Sequence, residues 1–136
     1  MSTGLRTTFW IHAVVAFVFG IGYLFAPAFV AGVFDVEPFD PFVTRLYGAA
    51  AIGLCASSVL AALAKRWEQV AIVVEMEVVF TILSAAVCLY AIIFANASVM
   101  VWLAVAMFSF FFLLFGYFLL QERIVHVAEP GTPALQ

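Results

Sequence analysis

Residues 78–121 read VVFTILSAAVCLYAIIFANASVMVWLAVAMFSFFFLLFGYFLLQ, 44 residues without one Asp, Glu, Lys or Arg. A helix needs about 20 apolar residues to cross a hydrocarbon core of about 30 Å. The run is long enough for two crossings, so a turn must lie inside it. Asn96-Ala97-Ser98 is the best break available, because Asn96 or Ser98 can cap a new helix. The stretch therefore predicts two spans, at about residues 68–94 and 98–121.

The first half reads the same way. No Asp, Glu, Lys or Arg occurs from Thr7 to Phe34, which predicts a span over about residues 8–26, interrupted by Pro27. A secretory signal has a shorter apolar region and a small-residue cleavage site, so this run is expected to be a retained helix. Residues 27–34 can form a short interfacial turn of helix, with Phe29 and Phe34 dipping into lipid. Asp40-Pro41 is a helix start: Asp caps free N–H groups, and Pro suits the first helical position. The second span is expected over about residues 41–64, followed by the basic turn Lys65-Arg66-Trp67-Glu68. Beyond Glu122-Arg123 the chain turns polar, and residues 127–136, with Glu129-Pro130-Gly131-Thr132-Pro133, read as a disordered tail.

The expected fold is thus all-α, one four-helix transmembrane bundle over residues 1–126. Composition agrees: 68% of the 136 residues are hydrophobic and 10% charged, with a mean hydropathy of +1.23. Soluble domains average about 45–50% apolar and about 25% charged. A water-soluble fold of this length has too much surface to hide that excess. A net charge of −3 with five Lys plus Arg excludes nucleic acid as a partner. Cys55 and Cys88 lie singly in apolar stretches without a CxxC, so they read as small packing residues rather than a redox pair.

Orientation follows from the cations. Arg6, Lys65, Arg66 and Arg123 fall on one side of the expected topology, while the first and third loops have none. The basic side is normally cytoplasmic. Both termini are therefore expected inside, with the acidic Asp35–Asp40 loop outside, in a multi-pass protein of the cell's inner (plasma) membrane.

Helices in lipid associate through small residues that let backbones approach. Ala49, Gly53, Ser57 and Ala61 recur every four residues in span two, widened by Ala50 and Ala51, and Ala16 and Gly20 do so in span one. The two spans are expected to pack along those stripes. In span four, Phe108, Phe110, Phe111, Phe112, Phe115 and Phe118 point all around the helix, so some must face lipid or a partner. Trp10, Trp67, Tyr90 and Trp102 fall near span ends, as interfacial aromatics do.

A charge in hydrocarbon is costly and marks function by default. His12, Arg45, Glu75 and Glu77 are the candidates. Glu75 and Glu77 lie roughly 8–10 Å deep on the basic side at 1.5 Å of rise per residue, and His12 at similar depth. Arg45 enters from the opposite side, more than about 10 Å away along the membrane normal, so it is expected to meet Asp40, Glu37 or lipid phosphate instead. Its structural alternative is a snorkelling or loop-clamping residue. Glu75 and Glu77 are about 200° apart around a helix and cannot share one partner. One is expected to face the bundle interior, and the other a headgroup region, a second subunit or Arg123. His12 with one Glu would make a ligand or proton site; the alternative is a structural bond between spans one and three. A di-metal bundle needs Glu-x-x-His repeats, which are absent, so no metal or other cofactor is expected. His12 with His126 is a poor haem pair. Ser57, Ser58, Thr81 and Ser84 show no His–Asp partner, which leaves nucleophilic catalysis without support.

The run Gly20-Ile21-Gly22-Tyr23-Leu24-Phe25-Ala26-Pro27, then Asp40-Pro41, then Arg45-Leu46-Tyr47-Gly48-Ala49-Ala50-Ala51-Ile52-Gly53, resembles the small four-helix membrane proteins grouped with the DoxX-like set. The resemblance implies a four-helix fold and favours a role for Arg45. Named members of that set are small subunits linked to quinone-coupled sulfur oxidation, and no residue here carries that chemistry across. Three functions stay open. One is a non-catalytic membrane protein that binds lipid or another apolar ligand, or serves as accessory subunit of a larger complex or homo-oligomer. The second is a small proton-coupled transporter or channel using a membrane-embedded Glu. The third is a quinone-linked redox subunit.

Overall fold

The computed structural model describes residues 1–34, 39–95 and 97–128. The described chain is helical, with α1 (Thr3–Phe25), α2 (Pro27–Phe34), α3 (Pro41–Leu63), α4 (Ala71–Phe94) and α5 (Val101–Ala128). Four of these, α1, α3, α4 and α5, are long and apolar enough to cross a membrane. The short α2 fills the interval after Pro27, with Phe29 exposed while Phe34 packs against Phe19.

Local chemistry explains the boundaries. α1 starts at Thr3, earlier than expected, because the Ser2 hydroxyl accepts the Leu5 N–H at 3.3 Å. The Thr7 and Thr8 hydroxyls then bond back to the Thr3 and Gly4 carbonyls, so these polar side chains need no water. Asp40 caps α3 as its sequence predicts, with Oδ1 accepting from Phe42 N at 2.8 Å and Val43 N at 3.1 Å. α4 starts at Ala71 rather than 68. A 3₁₀ turn, Trp67–Gln69, precedes it, closed by Gln69 Oε1 accepting from the Lys65 and Arg66 N–H groups at 3.2 Å. Ser98 accepts from Met100 N at 3.3 Å just before α5; Asn96, the other candidate cap, lies outside the described residues. α5 continues to Ala128, past its expected end and two residues into the expected tail; residues 129–136 lie outside the described residues. Gln121, Glu122 and Arg123 are good helix formers, and Arg123 finds an acid on α4, so the polar sequence does not stop the helix.

α1 lies chiefly on α3 and α4 on α5. These two pairs meet at the end that holds Arg6, Lys65, Arg66 and Arg123, around Leu5, Phe9, Ala62, Trp67, Val70, Val74 and Phe115. Trp67 is therefore a core residue, 9% exposed, and not the interfacial anchor its position implies; Trp10, Tyr90 and Trp102 are exposed. The tight 3₁₀ turn folds the indole inward.

The expected pairing of α1 with α3 is present, but on another face of α3. A side chain at Gly53 would meet nothing within 4 Å, Ala49 is exposed, and Ser57 is half-buried with its hydroxyl on the Leu54 carbonyl at 2.9 Å. The close approach on α3 runs through Gly48 instead, against Gly20 of the expected span-one stripe. A Cβ on Gly48 would stand 2.7 Å from Leu24 N and 3.0 Å from the Gly20 carbonyl oxygen; one on Gly20 would meet Ile52. Ala16 and Ala61, from the expected stripes, are buried. The span-four phenylalanines divide: Phe111 and Phe115 are buried, and Phe110 is exposed.

Candidate functional site

The two helix pairs are joined by a polar cluster inside the apolar interior. His12 comes from α1, Ser58 from α3 and Glu77 from α4. His12 Nδ1 lies 2.8 Å from Ser58 Oγ and 3.5 Å from Glu77 Oε1. Exposure is 5% for His12 and 0% for both Ser58 and Glu77. α5 closes the cluster with two rings: Phe111 and Phe115 stand T-shaped to the imidazole, with centroids 4.7 and 5.6 Å away.

The hydrogen bonding is uneven. Ser58 Oγ and the Nδ1 of the imidazole bond each other, with the direction set by the tautomer. Both Glu77 carboxylate oxygens are buried without a hydrogen-bond partner. The 3.5 Å approach to Nδ1 is close enough for charge attraction yet outside hydrogen-bond geometry. Thr81, one turn along α4, does not serve the carboxylate: its hydroxyl bonds the Glu77 backbone carbonyl at 2.6 Å. Buried polar groups are nearly always paired, so an orphaned carboxyl inside a membrane-type bundle is the principal anomaly of the molecule.

Three helices bring these groups to one depth. Ser58 lies five residues before the end of α3, and Glu77 six residues past the start of α4. At 1.5 Å of rise per residue both sit about 8–9 Å from the basic end. Sequence alone singles out Ser58 only as one of four hydroxyls without a His–Asp partner. The depth count applied to Glu77 would have found it, since α3 runs antiparallel to α1 and puts Ser58 opposite His12. Yet this is no relay for acyl transfer. A Ser–His–acid triad uses the two ring nitrogens separately, whereas Ser58 and Glu77 both approach Nδ1.

The remaining candidates stand apart from the cluster. Glu75 pairs with Arg123 of α5, with both side chains largely exposed. The two acids thus diverge as their spacing requires, Glu77 inward and Glu75 outward. Arg45 Nε donates to the Leu24 carbonyl at 3.3 Å, while the Asp40 carboxylate, one of its expected partners, is turned to capping α3. Leu24 lies in the last turn of α1, where carbonyls lack helical partners and a cation is favoured. Arg45 clamps the α1–α3 crossing there. Glu37, its other expected partner, lies outside the described residues. His126 falls within α5 by its backbone. Cys55 and Cys88 are free and half-buried. Among the described residues no three His, Cys, Asp or Glu side chains gather as a metal site. Comparison with family models, with curated proteins and with solved structures finds no match.

Proposed function

We propose that this chain is a multi-pass membrane protein that takes up and releases protons at Glu77, coupled to movement of the α1–α3 pair against the α4–α5 pair. One observation carries the reading: a fully buried carboxyl at the seam between the pairs, without hydrogen bonds and within reach of one imidazole. A purely structural polar contact would be satisfied, because a half-satisfied network costs stability. Lipid binding or an accessory role needs no ionisable group in hydrocarbon, so the geometry favours the proton-coupled reading over those two. His12 is the proton partner, Ser58 orients it, and the Phe111 and Phe115 rings keep water and lipid from the cluster.

The test is proton flux in liposomes that enclose a pH-sensitive dye. The wild type should dissipate an imposed pH step faster than empty liposomes. Glu77→Gln should return the rate to that of empty liposomes, while Glu75→Gln, at the outward acid, should keep the wild-type rate. Flux that survives Glu77→Gln overturns the proposal.

The basic end, with Arg6, Lys65, Arg66 and Arg123, is read as the cytoplasmic face of the plasma membrane, with both termini inside. A fluorescent reporter fused after Gln136 should then fold and fluoresce in the cytoplasm. A reporter active only outside the cytoplasm reverses the topology.

A further inference from the structure

α3 and α4 touch only slightly, and at the basic end the seam between them opens into a groove of about 390 Å³. Ser57, Leu60, Ala61 and Leu63 of α3, with Ala64 just past its end, line it together with Gln69 and Val73. Ser57, Leu60 and Ala61 stand at i, i+3 and i+4, one helix face. The small side chains of Ser57, Ala61 and Ala64 make the trough, and the exposed Leu60 and Leu63 form its outer lip. The Ser57 hydroxyl is turned onto the Leu54 carbonyl, so it adds little polarity. The rim is different in character. Lys65 and Arg66 follow directly and are exposed, and Arg6 Nη2 lies 3.5 Å from the Ala64 carbonyl. Glu68 is the single acid in the same turn, which leaves the rim net positive. Gln69 spends its Oε1 on the turn, so its N–H₂ end is what it offers a ligand.

We propose that this groove seats one acyl chain of an anionic phospholipid, with the phosphate held at the rim by Lys65, Arg66 and Arg6. An apolar trough at hydrocarbon depth below a cationic rim at headgroup level matches the two-part chemistry of that lipid. A free phosphate would use the rim alone, and a zwitterionic lipid gains nothing from the net positive charge. The site uses no side chain of the His12–Ser58–Glu77 cluster and stands or falls separately from proton uptake.

The test is native mass spectrometry of the detergent-purified chain with dioleoyl phosphatidylglycerol or dioleoyl phosphatidylcholine. Phosphatidylglycerol should be retained about tenfold better. Lys65→Gln with Arg66→Gln should erase that preference. Ser57→Phe, which fills the trough, should cut phosphatidylglycerol retention severalfold; if it lowers the melting temperature, Leu60→Trp at the exposed lip reads the same loss. Glycerol phosphate should not displace the lipid. Equal retention of the two lipids, an undiminished preference with the trough filled, or displacement by glycerol phosphate overturns the proposal.

Discussion

Replacing His12 with leucine lowers the unfolding free energy in detergent by about 1–3 kcal/mol, and adding Glu77→Leu to the same chain restores most of it. The single change removes the imidazole that lies 3.5 Å from the Glu77 carboxyl. Of the neighbouring groups, the Thr81 hydroxyl is committed to its own helix, and Phe111 and Phe115 are buried apolar rings. A buried ionisable group without a partner is among the most costly defects a core can hold. The double change turns the cluster into a hydrocarbon contact between α1 and α4, while Ser58 can bond back along its own helix. The opposite signs of the two steps give a large coupling in a double-mutant cycle. Equilibrium unfolding in mixed micelles measures all four corners. A double variant no more stable than His12→Leu alone would show that the carboxyl is not what makes the single change costly. The stable double variant should also be inert in the proton-flux assay, as expected when a site is kept for activity at the expense of stability.

The second large effect concerns glycine. Gly48→Leu should destabilise the α1–α3 pair by at least about 1–3 kcal/mol, whereas Gly53→Leu should change stability by less than about 0.5 kcal/mol. The obstacles at Gly48 are backbone atoms of α1, Leu24 N and the Gly20 oxygen, which can yield only if the helices separate. Gly20 is the intermediate case, because the nearest atom to a new Cβ is the mobile Ile52 Cδ1 at 2.7 Å. The order of loss should therefore be Gly48, then Gly20, then Gly53, read as melting temperatures in one detergent. A Gly53 variant as damaged as the Gly48 variant would mean that the outward face of α3 is packed in the membrane, against lipid or a second chain.

That contrast also shows why the sequence reading chose the wrong face of α3. Residues four apart advance by about 400°, so a four-residue stripe drifts by about 40° at each step. From Ala49 to Ala61 the drift is about 120°, which carries the stripe from the exposed side to the buried one. Gly48 and Ala62, fourteen residues apart, stay on one side, and both are buried. A seven-residue repeat keeps facing its partner where a four-residue repeat does not.

Spans, breaks and caps were legible because each depends on a residue and its near neighbours in the chain. The uncharged run at 78–121 required two crossings and a turn, Asp40-Pro41 marked a helix start, and Glu75 and Glu77 had to diverge. Which acid faced inward, that Ser58 would meet His12, that Trp67 would turn into the core and that Arg45 would hold a carbonyl of α1 were not legible. Hydropathy weighs one side chain against its solvent, and in an apolar helix nearly every face scores alike. The rotation of such a helix is decided only by pairwise contacts: two glycines that let backbones meet, and a carboxyl for which an imidazole on another helix is the polar neighbour within reach.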